Sequence, residues 1–165
     1  MFGWLKKRKR RVRVPEGVFI KREIEDDLPL WESYMYAGEG YEFDKKELIA
    51  FSAALPIAAM NYAGIDLRII NNFTLQLLTE LHHVYGIPSH ELAEILSRYF
   101  EALMADLRRG QTSSDKVVVF KDTAALLGQS AIKQGEPYSV EAGWLLQIAG
   151  HVSAKVELFQ ELEIT

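Results

Sequence analysis

The feature that most constrains this chain is a stretch of 18 residues, Leu48 to Ile65, without a single charged side chain. A helix that is apolar on every side must be surrounded, either by other protein elements or by lipid. About 18 apolar residues is the lower edge for crossing a bilayer. Ser52, Pro56, Asn61 and several alanines weaken the membrane option, because they lower the insertion energy of the segment. The run is therefore expected to form a buried central helix, capped by Asp44 and kinked or split at Pro56.

A central helix needs amphipathic neighbours, and the chain supplies them. Asp66 caps a predicted helix from Leu67 to Tyr85, which Gly86-Ile87-Pro88 interrupts. From Ser89 to Arg109, Leu92, Ile95, Leu96, Tyr99, Phe100, Leu103 and Leu107 recur every three or four residues as one stripe, with Gly110 as the stop. Asp115 to Lys133 is read as helical, with Val117 to Phe120 as an alternative short strand. Ser139 to Glu163 forms the last helix. Its seam, Leu145, Ile148, Val152, Val156, Phe159 and Leu162, has a period near 3.5. The expected fold is all-α, a bundle of about five helices joined by short loops. Three regions follow: a flexible basic arm at 1–13, an irregular acidic and aromatic segment at 14–43 punctuated by proline and glycine, with room for an extended piece near Val18 to Ile24 and a short helix near Trp31 to Ala37, and the bundle at 44–165.

Charge is distributed unevenly over these regions. Seven of the 19 basic residues lie between Lys6 and Arg13, whereas the chain from Val14 onward carries 12 basic and 23 acidic residues, a net charge of −11. Blocks of like charge stay solvated and act as arms that find an opposite surface. The apolar Phe2, Trp4 and Leu5 precede the block, the reverse of a secretory signal, so the segment is expected to be retained. Phe2 excludes the N-terminal glycine that myristoylation requires. The chain has no cysteine, which excludes disulfides and thiolate chemistry and is compatible with a cytoplasmic location.

Phe2, Trp4, Leu5 and the block Lys6, Lys7, Arg8, Lys9, Arg10 and Arg11 are the candidate anionic-surface residues. On a membrane the rings enter the interface while the cations meet headgroups. On nucleic acid the same charges displace counterions without sequence preference. Within the chain they can fold over Glu16 to Glu47, which holds ten acids and four bases. Trp31, Tyr34, Tyr41 and Glu42 are candidate partner-binding residues, because rings set among acids suit a basic protein partner. Leu145, Ile148, Val152 and Phe159 become an oligomer interface if the last helix leaves its seam exposed.

The catalytic motifs sought are missing: no Gly-x-Ser-x-Gly elbow, no His-Glu-x-x-His helix and no Walker loop. Glu80 and His83 share a helix face, as in one half of a di-iron site, but the second Glu-x-x-His pair is lacking, so no metal or other cofactor is assigned. Residues 78–95 have the spacing of a helix-turn-helix. His82 stands where a small residue is usual, however, and Glu91 and Glu94 would repel phosphate. The expectation is a non-catalytic interaction protein. Its acidic body binds a protein partner or itself, and its arm reaches the inner membrane face, with no small-molecule substrate inferred. The alternatives are a nucleic-acid-associated regulator and a metal-binding bundle enzyme.

Overall fold

A computed structural model of the protein describes residues 12–35, 42–112, 120–134 and 138–165. The candidates Phe2, Trp4, Leu5, Lys6 to Arg11 and Tyr41, and the strand-or-helix question at Val117 to Val119, lie outside the described residues. The architecture is an all-α bundle. Its elements in order are β1 (Val12–Val14), α1 (Glu16–Arg22), a π-helical turn (Glu23–Asp27), α2 (Leu28–Met35), β2 (Glu42–Phe43), α3 (Lys45–Tyr62), α4 (Leu67–Tyr85), α5 (Ser89–Thr112), α6 (Lys121–Ala131), β3 (Ile132–Gln134), α7 (Tyr138–Glu161) and β4 (Leu162–Ile164).

The uncharged run is the centre of the molecule. Every residue from Glu47 to Met60 is buried, and α3 packs against α2, α4, α5, α6 and α7. Pro56 does not split α3, which runs unbroken from Lys45 to Tyr62 with the Asp44 carboxylate accepting from the Lys46 N–H at 2.9 Å. No helix among the described residues is long and apolar enough to cross a membrane. Enclosure by the other helices satisfies this apolar surface instead.

The α5 stripe packs as expected. Leu92, Tyr99 and Leu103 are fully buried, and α5 meets α3 along its length. The Tyr99 hydroxyl donates to Glu47 at 2.7 Å, the Arg98 guanidinium donates to the same carboxylate at 2.9 Å, and Lys46 meets Glu91 at 2.7 Å. Burial and the Glu47 hydrogen bond push the Tyr99 phenol well above its ordinary pKa. Gly110 does not stop α5, which continues to Thr112. Gly86 closes α4 in the left-handed region, at φ 69°, where a side chain would be strained. Asp106, fully buried, accepts from the Thr123 N–H and hydroxyl at 2.9 and 2.7 Å and so caps the first turn of α6 from a neighbouring helix.

Three expectations need correction. First, the described part of 14–43 is largely helical: α1, the π turn and α2 run together from Glu16 to Met35, so the short helix near Trp31 is present as α2, whereas Val18 to Ile24 is helical rather than extended. The prolines misled because of where they sit. Pro15 is the N-cap of α1, where a missing N–H costs nothing. Pro29 is the second residue of α2, just after the π turn, where the winding is wide enough for the Leu28 N–H to bond to the Glu23 carbonyl five residues back. Second, Val12 and Arg13 do not belong to a free arm. They form β1, parallel to β4, with Val12, Arg13 and Val14 opposite Leu162, Glu163 and Ile164. The pairing continues through Glu16 N–H to the Thr165 carbonyl at 3.2 Å and Thr165 N–H to the Val14 carbonyl at 3.1 Å. A second ribbon joins β2 to β3 antiparallel. Third, the α7 seam is not left for a second copy. Ile148, Val152 and Phe159 are buried and Leu145 is half-buried, in a helix packed on α3 and α6.

Candidate functional site

Among the described residues the basic block is represented by its root. Arg13 Nε lies 3.3 Å from a Glu163 carboxylate oxygen, its side chain 73% exposed. The strand pairing sets Val12 beside Leu162 and Arg13 beside Glu163.

The partner-binding candidates divide. Trp31 is completely buried and cannot anchor a partner. Its ring packs edge-on against Phe51 at 4.9 Å and Tyr34 at 5.5 Å, and tilted against His151 at 5.0 Å. The reason is its position on the inward face of α2, which the irregular reading of this segment could not define. Tyr34 is half-buried and Glu42 is exposed at the start of β2. Glu80 and His83 are both exposed on α4, and among the described residues no three of His, Asp and Glu come together as a metal cluster. The 78–95 hairpin has its turn at Gly86. Glu91 is tied to Lys46, and Glu94 is exposed on the outer face of α5.

What the sequence reading missed is a buried charged cluster where the π turn meets α3 and α7. Glu23, Asp27 and Lys155 are only 2%, 6% and 9% exposed. Glu23 accepts a hydrogen bond from the Ser52 hydroxyl of α3, and Lys155 of α7 donates to Asp27. Arg22 Nε approaches the other Asp27 oxygen at 4.0 Å from a half-exposed position. Glu23 and Asp27, four residues apart, share the buried side of the π turn. The two other acids of this turn, Glu25 and Asp26, face solvent.

Burial is the largest influence on Glu23 and raises its pKa to about 7, against the opposing pull of Lys155 and Ser52 and with the help of the neighbouring Asp27 charge. Its second oxygen, Oε2, is buried with no donor. A proton there turns that oxygen into a donor beside the Asp27 carboxylate, and the cluster becomes electrically balanced: neutral Glu23, anionic Asp27 and cationic Lys155. Desolvation holds the His151 imidazole below its ordinary pKa, reinforced by the Lys155 charge and opposed by Asp27.

A pH dependence follows. The folded chain keeps a proton that the unfolded chain releases near 4.5, so the stability it confers is full below that value and is lost as pH rises through about 7. The loss is at most on the order of 3 kcal/mol. Glu23→Gln keeps a neutral donor and acceptor in the same place. The variant is expected to gain stability relative to wild type progressively as pH rises from about 4.5 to about 7, with little further gain above that. Urea unfolding of both proteins across that range measures the difference. A constant offset at every pH would show that Glu23 is ionised throughout.

Beside the cluster is a cavity of about 400 Å³ between the π turn, α2 and α7. Arg22, Asp27, Leu30, His151, Lys155 and Leu158 contribute to its wall, whereas Glu23 does not. Glu23 therefore acts inside the structure, and Asp27 and Lys155 face both the structure and the opening. A larger groove of about 630 Å³ lies between α1 and α4 and includes Ile20, Ile24, Leu75, Glu80 and Val84. Compared with known proteins, the chain matches no family model, no curated protein and no solved structure.

Proposed function

We propose that this protein is a non-catalytic helical adaptor held to an anionic membrane face by Phe2, Trp4, Leu5 and the block Lys6 to Arg11. Its acidic body engages a protein partner. The observation that carries the reading is the segregation of charge: six basic residues stand in succession immediately before β1, on a chain whose remainder from Val14 is net −11. The β1–β4 pairing, which fixes Val12 and Arg13 next in sequence to that block against the C-terminal strand, is compatible with it. Basic residues near an anionic leaflet contribute about 1 kcal/mol each, so six of them suffice for reversible attachment of a folded body. With Trp31 in the core, the partner-facing candidates are Tyr34 at the edge of α2 and Glu42 on β2 among the described residues, together with Tyr41, which lies outside them.

The test compares the intact chain with a version starting at Val12, which keeps β1 and therefore the fold. Vesicles containing phosphatidylglycerol, vesicles of phosphatidylcholine alone and duplex DNA are the three surfaces. The intact chain is expected to co-sediment with the anionic vesicles, in a salt-dependent manner, and at least tenfold more tightly than the shortened one. Equal binding by both chains removes the proposal. Tighter binding to duplex DNA than to vesicles replaces it with the nucleic-acid alternative.

A further inference from the structure

The cavity beside the buried cluster has the attributes of a built site. Its volume of about 400 Å³ is within the usual range for small-molecule pockets, ~300–1,000 Å³. Its wall combines two fixed cations, Arg22 and Lys155, with one carboxylate, Asp27, so it is net cationic within an acidic body. Asp27 and Lys155 are more than nine-tenths buried and hold each other in place. Arg22 is not held in this way. At 4.0 Å from Asp27 and more than half exposed, its guanidinium can turn its planar fork toward a ligand. Leu30, Ala154 and Leu158 supply the apolar part of the wall. Behind His151 the Trp31 indole N–H is buried without an acceptor.

Gly150 adds an independent observation. It lies inside α7, where glycine is less favourable than alanine because of the backbone freedom it loses. It has no positive φ to require it, and a Cβ placed there would meet nothing within 4 Å. Neither packing nor backbone geometry calls for glycine at this position, but it forms part of the cavity wall, and any larger side chain would project into open space there.

We infer that this cavity binds a small organic monocarboxylate. Arg22 and His151 take the carboxylate head beside the Lys155–Asp27 pair, and a short hydrocarbon portion rests on Leu30, Ala154 and Leu158. A single negative charge matches the net charge of the wall. A dianion such as phosphate would face Asp27 without a compensating cation and would leave the apolar wall uncovered.

Isothermal titration of the full chain with hexanoate and benzoate tests this, with hexanamide, benzamide and inorganic phosphate as comparisons. The carboxylates are expected to bind with Kd on the order of 1 mM or tighter, and the amides and phosphate at least tenfold more weakly. Arg22→Gln, at a half-exposed position, should weaken hexanoate at least tenfold, and Gly150→Phe should abolish its binding by filling the cavity. Thermal melts of both variants confirm that they are folded. The inference is overturned if hexanoate does not bind, if the amides or phosphate bind as well as the carboxylates, or if Arg22→Gln leaves the affinity unchanged.

Discussion

Replacing Lys155 with methionine is expected to destabilise the protein by about 3–5 kcal/mol, the cost of leaving one partner of a buried ion pair without its counter-charge. The variant keeps most of the aliphatic stem, so little packing is lost, and the effect reports the charge. Asp27 remains in a site only 6% exposed, with Arg22 4.0 Å away at the surface and Glu23, a second carboxyl group, beside it. For a chain of this length each kcal/mol corresponds to about 2–4 °C, so the melting temperature should fall by about 6–20 °C. Adding Asp27→Asn should recover part of the loss, because the uncompensated charge is then gone, and the two substitutions should be non-additive by at least about 1 kcal/mol. Urea unfolding of the two single variants and the double variant gives all three quantities. If Lys155→Met unfolds at the wild-type midpoint, Asp27 is hydrated and the cluster is not a closed one.

Trp31→Ala should cost about 3–5 kcal/mol, the range for truncating a fully buried aromatic side chain. The ring fills space between α2, α3 and α7, in contact with Phe51 at 4.9 Å and His151 at 5.0 Å, and nothing in the sequence nearby can collapse into the void. Trp31→Phe, which preserves an edge-on contact with Phe51, should cost markedly less. The outcome also separates two roles for this residue. A core tryptophan weakens the isolated chain when removed. A partner anchor leaves the isolated chain intact and weakens only the complex. A loss below about 1 kcal/mol on Trp31→Ala would restore the anchor reading.

The parts of the fold that were legible are those in which local pattern and burial agree. The uncharged stretch around Phe51 had to be enclosed, and it is. The Leu92 to Leu107 stripe had to face inward, and it does. Asp44, Asp66 and Gly86 mark helix ends at the expected places, because capping is a local property of side chain and backbone. The Glu16 to Met35 region was read as irregular because Pro15, Gly17 and Pro29 count as breakers whenever their position within a helical turn is unknown. A π turn changes the winding by one residue, and a reading based on a period of 3.6 passes over it.

The buried cluster left one trace. The α7 seam runs Ile148, Val152 and then Phe159, and Lys155 stands at the core-facing position between the last two. A lysine in that register asks for a buried acid, but the acids of the N-terminal half offer many candidates and no local rule selects Asp27, 128 residues away.

The amino-acid sequence alone determined that this chain makes a helical bundle around one apolar helix and that its cations gather ahead of an acidic body, since both follow from composition and short-range periodicity. Only the tertiary structure decided that Trp31 belongs to the core, that Val12 to Val14 pair with the C-terminal strand, and that Glu23, Asp27 and Lys155 share one desolvated site. Those are meetings of residues distant along the chain, and the free energy that selects them comes from excluding water around groups that local sequence does not bring together.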